Sequence, residues 1–422
     1  MVEQTVLPFK LDETKDSIIS HAGLGLFGEF ACGVNFSEVV DSELPPPGSP
    51  RGYNPSRFVF PLVLMLNGGG RALEDLREID ADTPLKELLG LDRIPSTDAV
   101  GDWLRRTGSG SGLSGLRSVN QRLVDLALRH DERTDYTLDI DATLIEADKE
   151  SAARTYKGFN GYAPLVGHLA ENGLVLLDEF REGNDSPQSR NLEFLKSCVA
   201  RMPEGKRIAR FRADSASYQA RIIDYCEDHG LEFAIGADRD EAVLKSVSGV
   251  EEWRDYEDGL IGETSHSMNA SKSSFRLIVI KRPSQQSLFV ESSPRITVIA
   301  TNMEGTAEEI VAFYNQRGEC SENNLKELKI GMGTERLPCG DFHGNAAFFR
   351  IGVLAYNLFM MFKSSALPQG WSRFQVRTVR WKLYDIAGKV VYHGNRLWLK
   401  VSRYWLDLFH DIRKWSYAFS LG

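Results

Sequence analysis

The chain has 422 residues, 42% hydrophobic and 26% charged, with a formal net charge of −9. That is enough apolar material for two or three domains with a sizeable core, and it excludes a disordered or low-complexity chain. Five scattered cysteines (Cys32, Cys198, Cys226, Cys320, Cys339) with no Cys-x-x-Cys argue against a disulfide scaffold and a structural zinc site, and for the reducing cytoplasm.

No secretory leader is expected, because no apolar stretch with basic flanks follows the first residues. The longest purely apolar run, Phe58 to Leu66, is nine residues and contains Pro61, well short of the roughly 20 that cross a bilayer. Leu73, Leu76 and Ile79, then Leu85, Leu88 and Leu89, take helical spacing. Ser96 or Thr97 caps a short helix carrying Val100, Trp103 and Leu104. Residues 107–112, Thr-Gly-Ser-Gly-Ser-Gly, read as a flexible linker, and Leu113 to Arg129 as a further helix. The expectation is an all-α N-terminal domain over 1–130, for DNA end binding or dimerisation.

From about residue 135 the period changes. β-rich segments fall at 136–146, 163–168, 173–180 and 207–213, with a helix at Arg190–Arg201 before the last. A helix over Tyr218–His229 and a strand over Glu232–Gly236 follow. Three strands, helix, strand, helix, strand is the order of an RNase H-like core, an α/β layered fold with a mixed sheet. Residues 240–304 read as a β-rich insertion, with strands at 275–281, 287–290 and 295–301. Helical character resumes at Thr306 and runs toward Leu328, with a turn at Gly331-Met-Gly333. Ala346 to Phe362 reads as a buried helix, broken by Arg350 and Asn357. The core is expected at 131–239 and 305–370.

Residues 371–422 hold ten Lys/Arg against three Asp/Glu, and five of the seven tryptophans (Trp371, Trp381, Trp398, Trp405, Trp415). Interleaved basic and aromatic residues suit phosphate contact and base stacking, or tryptophans that pack inward under a basic surface. Two or three strands are expected at 375–401, turning near Gly388 and at Gly394-Asn395.

Three acids sit in distinctive settings. Asp141 lies in the strand-like Tyr136-Thr-Leu-Asp-Ile-Asp-Ala-Thr143, Asp214 follows Ile208-Ala-Arg-Phe-Arg-Ala213, and Glu322 lies in the helical stretch from Tyr314. Asp139 shares a strand face with Asp141. Buried carboxylates side by side are costly unless a cation joins them, and magnesium takes oxygen ligands of this kind. Two such ions suit in-line displacement at a phosphodiester.

Asp141-Ala-Thr143, Arg212-Ala-Asp214-Ser215, and Tyr314-x-x-Arg317 followed by Glu322 and Lys329 together resemble insertion-sequence transposases of the DDE type, in the branch with a Tyr-Arg-Glu-Lys signature. The resemblance spans roughly residues 60–400. It implies Asp141, Asp214 and Glu322 as catalytic and metal-binding residues, with two Mg²⁺ ions, or Mn²⁺ as a substitute. It implies phosphate contacts from Tyr314, Arg317 and Lys329, which a continuous helix would align. Trp253 in the insertion is the candidate for stacking on a flipped base. The 108 residues from Asp214 to Glu322 fit members with a β-rich insertion. One departure stands out: four residues separate Arg317 from Glu322 where the pattern has three, which leaves Glu319 as the alternative acid.

The expected partners are double-stranded DNA (terminal inverted repeats and target) and a second copy of the chain on DNA, in a bacterial cytoplasm and with no membrane. The rivals are a nuclease of the same fold, a non-catalytic DNA-binding derivative, and a metal-free carboxylate-pair hydrolase acting on sugars.

Overall fold

The computed structural model describes Leu7 and residues 10–283 and 295–421; the side chains of Glu319, Cys320 and Leu421 lie outside that description. The strand expected at 287–290 falls outside the described residues.

After β1 (Ser17–Ile19) come seven helices: α1 (Ala22–Gly33), α2 (Phe36–Glu43), α3 (Ser56–Gly68), α4 (Leu76–Ala81), α5 (Thr83–Leu89), α6 (Thr97–Ser109) and α7 (Gly112–Arg129). The run at 107–112 is no linker. α6 continues to Ser109 and α7 begins at Gly112, leaving two residues between them. A Cβ on Gly108 would lie 2.0 Å from the His343 carbonyl oxygen, so the glycine is what lets α6 touch the chain near residue 343.

The strands and helices that follow are β2 (Asp135–Ala142), β3 (Ile145–Glu146), β4 (Ala153–Arg154), β5 (Asn160–Tyr162), β6 (Leu165–Leu169), β7 (Val175–Glu179), α8 (Asn191–Val199), β8 (Arg207–Ala213), α9 (Ala220–Asp228) and β9 (Glu232–Gly236). β6 and β7 lie antiparallel in succession beside β2, while β2, β8 and β9 run parallel. This is the RNase H-like core. Past α10 (Glu241–Ser248), the strands β10 (Trp253–Tyr256), β11 (Gly259–His266), β12 (Phe275–Arg282) and β13 (Arg295–Thr301) continue the same sheet. β13 pairs antiparallel with β9, giving a nine-stranded order β10-β11-β12-β13-β9-β8-β2-β6-β7. The insertion therefore extends the core sheet. Apolar residues of α8, α9 and α10 cover one part of it, and Ala307, Ile310 and Val311 pack on Ala234, Ile278 and Ile299 elsewhere.

α11 (Ala307–Lys326) starts in a capping box: Thr306 Oγ1 accepts from the Glu309 N–H at 3.3 Å, and the Glu309 carboxylate accepts from the Thr306 N–H at 2.9 Å. It passes without a break into a π-turn over Glu327–Gly331, so the helix expected through Lys329 is continuous but widens at its end. α12 (Phe342–Ser365) is long and apolar enough to cross a membrane, yet its apolar window is 94% buried inside the protein. Its polar residues are satisfied there. Arg350 pairs with Asp178 of β7 at 3.1 Å, and Asn357 donates to Asn120 of α7 at 2.7 Å. The N-terminal helices and α12 share one apolar core, in which Phe27 and Phe30 meet Phe362.

At 375–401 the chain forms α13 (Val376–Val379), a π-turn over Arg380–Tyr384, and a hairpin of β14 (Gly388–His393) and β15 (Arg396–Lys400). Two strands form rather than three, and β1 joins them through β14. α14 (Arg403–Leu421) closes the chain against α1. Trp371, Trp405 and Trp415 pack on the core, as the inward reading expects, while Trp381 and Trp398 are 80% and 52% exposed.

Candidate active site

β2 and β8 are parallel neighbours, and their last paired residues are Ile140 and Ala213. One residue further stand Asp141 and Asp214, so strand register alone delivers two carboxylates to one end of adjacent strands, about 5 Å apart in the pairing direction. Asp214 also starts the short turn after β8, accepting from the Ala216 N–H at 3.1 Å.

Asp139 does a different job. It is fully buried and faces its register partner Arg212, whose Nε and Nη2 donate to the two carboxylate oxygens at 2.7 and 2.9 Å. The same guanidinium donates from Nη1 to the Phe313 carbonyl at 2.6 Å and lies 4.7 Å from the Phe313 ring centre. Arg212 thus pins β2, β8 and α11 together, a role that its place in the Arg-Ala-Asp motif does not reveal. His168, the partner of Asp139 on β6, is wholly buried, and neither ring nitrogen has a hydrogen-bond partner among the described residues. Burial holds it neutral, with its pKa lowered to about 3.

α11 brings the remaining groups. The Arg317 guanidinium pairs with Asp141, and Ser321 Oγ donates to Asp141 Oδ2 at 2.6 Å. Burial pushes the Asp141 pKa up to about 6; Arg317 and Ser321 pull against it, and the charges of Asp214 and Asp139 add to the rise. The Tyr314 hydroxyl sits against the backbone of Gly236 at the end of β9, where a Cβ would come within 2.7 Å of it. Burial raises its pKa, and the charges of Arg317, Asp214 and Asp141 all reach it. Lys329, in the π-turn, donates to the Leu144 carbonyl at 2.6 Å, just past Asp141.

The structure therefore groups Asp141, Asp214, Tyr314 and Arg317, with Lys329 fastened to the adjoining loop. Glu322 follows Ser321 on α11 and is exposed, as Asp214 is. Trp253 lies on the outermost strand, under the Lys281 ammonium at 3.5 Å from the ring centre. That strand is six steps from β2, roughly 25–30 Å at about 4.8 Å per step. Among the described residues no group of three His, Cys, Asp or Glu is placed to hold a metal ion.

Residues 7–413 match the family model described as "Transposase DDE domain group 1". The chain belongs to this transposase family. Among solved structures it is similar to the piggyBac transposase synaptic complex with hairpin DNA, at 11% identity and a TM-score of 0.49, over 87% of this chain and 80% of that one. No curated protein matches it. Within the transposase, Asp141 and Asp214 stand where strand ends meet the long helix, and the contacts of Arg212 with Asp139 and of Ser321 with Asp141 are what the motifs alone do not reveal.

Proposed function

We propose that this transposase cuts DNA at the ends of its own insertion sequence and joins the freed 3′-hydroxyls to target DNA, with Asp141 and Asp214 as the carboxylates at the reacting phosphodiester. The observation that carries this reading is the juxtaposition of a buried aspartate and its in-register neighbour on adjacent parallel strands, opposite a helix that presents Tyr314 and Arg317.

The donor set fits a divalent cation. Both groups are carboxylates, they repel one another, and Asp141 already draws a positive partner in Arg317. Magnesium is commonly held by one or two carboxylates with waters completing its shell. Bound there, such an ion would activate a nucleophilic oxygen and stabilise charge on the leaving oxygen. Asp141 and Asp214 would hold it. Arg317 would release Asp141 and keep its planar donor fork for a DNA phosphate, as Lys329 would keep its ammonium. Tyr314 would border the same phosphate from the end of β9. Exposed Trp381, Tyr392, Trp398 and Tyr404, interleaved with exposed Lys382, Arg396, Lys400 and Arg403, give the C-terminal segment stacking faces and phosphate contacts for duplex DNA. Two element ends handled together imply a homodimer on DNA, in a bacterial cytoplasm.

The test is a labelled duplex carrying the inverted repeat that flanks the gene, incubated with the full chain and Mg²⁺ or Mn²⁺. Strand nicking at the repeat boundary that EDTA abolishes is the expected result. Metal-independent cleavage, or the absence of flanking repeats, contradicts it.

A pH dependence follows from Asp141. Its folded pKa of about 6 lies above the unfolded value near 4, so the native state holds this proton more tightly. The ionised group lowers stability above about pH 6, and that loss is relieved below about pH 4. A cation that replaces the proton stabilises the fold by mass action. Millimolar Mn²⁺ should therefore raise the melting temperature near pH 7.5 and lose most of that effect near pH 5. Equal shifts at both pH values contradict this.

A further inference from the structure

We infer that Arg380 is a positioning residue for Lys329: it caps the ends of two helices at once and so fixes the turn from which Lys329 reaches the active site. The inference rests on the reading of Lys329 as a contact to a DNA phosphate.

The helix ends carry the argument. The last carbonyls of a helix lack partners within it, and the aligned peptide dipoles gather negative charge there. α3 ends at Gly68, and α11 runs on through the π-turn to Gly331. Arg380 lies where these two ends converge. Its Nε donates to the Asn67 carbonyl at 2.6 Å, and its Nη2 donates to the carbonyls of Leu66 at 2.7 Å and Gly331 at 2.8 Å. Two like dipole ends repel one another, and a guanidinium between them replaces that repulsion with attraction. Lysine would keep the charge but not the planar fork that reaches both ends together.

Glycine leaves room on both sides. Gly69 follows α3 at a φ of 108°, in the left-handed region, and a Cβ there would lie 3.4 Å from Arg380 Nε. A Cβ on Gly331 would lie 2.8 Å from Glu327 Oε1. That same oxygen accepts from the N–H of Val376, the first residue of α13, at 2.6 Å. A second bond therefore ties the π-turn to the segment that carries Arg380.

Lys329 stands inside the turn held in this way, between Glu327 and Gly331. It is half-buried, and its ammonium donates to the Leu144 carbonyl at 2.6 Å, just past Asp141. A lysine stem is flexible, so the aim of the ammonium depends on a backbone fixed at both ends of the turn. Arg380 fixes one of them.

The experiment reads Lys329 directly in the full chain. Its rate of reductive methylation is followed by mass spectrometry and divided by the rate at exposed Lys245 of α10, with nicking of the end duplex measured in parallel. Arg380→Gln should raise this ratio at least about fivefold, because local opening of the turn releases the ammonium from Leu144. Arg380→Lys should raise it about two- to threefold, and it decides the matter if Arg380→Gln does not fold. On DNA, Arg380→Gln should cut nicking about tenfold in the wild-type chain but less than about twofold in Lys329→Gln, since a residue that acts through another is not additive with it. An unchanged Lys329 ratio in a folded variant overturns the inference, as does an equal loss of nicking in both backgrounds. If the methylation pattern holds while Lys329→Gln nicks like wild type, the clasp by Arg380 stands and the phosphate reading of Lys329 falls.

Discussion

Asp141→Asn and Asp214→Asn should each reduce end nicking by at least about a thousandfold while leaving the fold in place. On the proposed reading, each removes a charge from a pair that holds a cation beside the scissile phosphate. Metal-borne charge stabilisation contributes several kcal/mol to such a step, and about 4 kcal/mol corresponds to three decades in rate. Asparagine matches aspartate in shape, so Ser321 can still donate to its side-chain oxygen. Asp214 is exposed at the end of β8, which keeps the structural effect of its replacement small. The measurement is single-turnover nicking of the labelled end duplex, beside thermal unfolding of the same samples. Nicking within tenfold of wild type by either variant would remove that residue from the reacting centre.

Arg212→Leu should do the opposite, acting first on stability. Removing one partner of a buried ion pair leaves an uncompensated charge and costs about 3–5 kcal/mol. Here the stranded group is Asp139, fully buried on β2, and the bond to the Phe313 carbonyl of α11 is lost as well. A large fall in the denaturant midpoint is expected, with any loss of nicking following from it. Replacing both partners, Asp139→Leu with Arg212→Leu, should recover much of the stability, since well-packed apolar residues often substitute for a buried pair at little cost. A single Arg212→Leu that unfolds like wild type would show that this guanidinium does not pin the sheet to the helix.

The contrast between these two aspartates shows what the sequence carries and what it does not. Asp139 and Asp141 share a strand face, and in the sequence only the Asp-x-Thr context favours Asp141. The distinction comes from register: Asp139 falls opposite Arg212, while Asp141 falls one residue beyond the last paired position. The RNase H-like strand order was legible because each strand is an apolar segment with its own turn signals, and Glu232–Gly236 appears with the expected bounds. β1 was not legible, since a three-residue strand owes its existence to β14, some 370 residues away. The Gly-Ser run at 107–112 misled because glycine there serves close helix contact rather than flexibility. The π-turn at 327–331, between Glu322 and Gly333, was not legible either, because residue spacing carries no mark of it. The Trp253 assignment rested on residue chemistry alone, and the order of strands, which chemistry does not report, puts it at the sheet's far edge.

The central claim is that Asp141 and Asp214 form one cation pocket. The most direct measurement is an anomalous difference map at the manganese edge from crystals grown with Mn²⁺. The account predicts a peak bonded to both carboxylates, with Arg317 withdrawn from Asp141. A map with the ion elsewhere, or with no ion while Arg317 still holds Asp141 at saturating Mn²⁺, would contradict it.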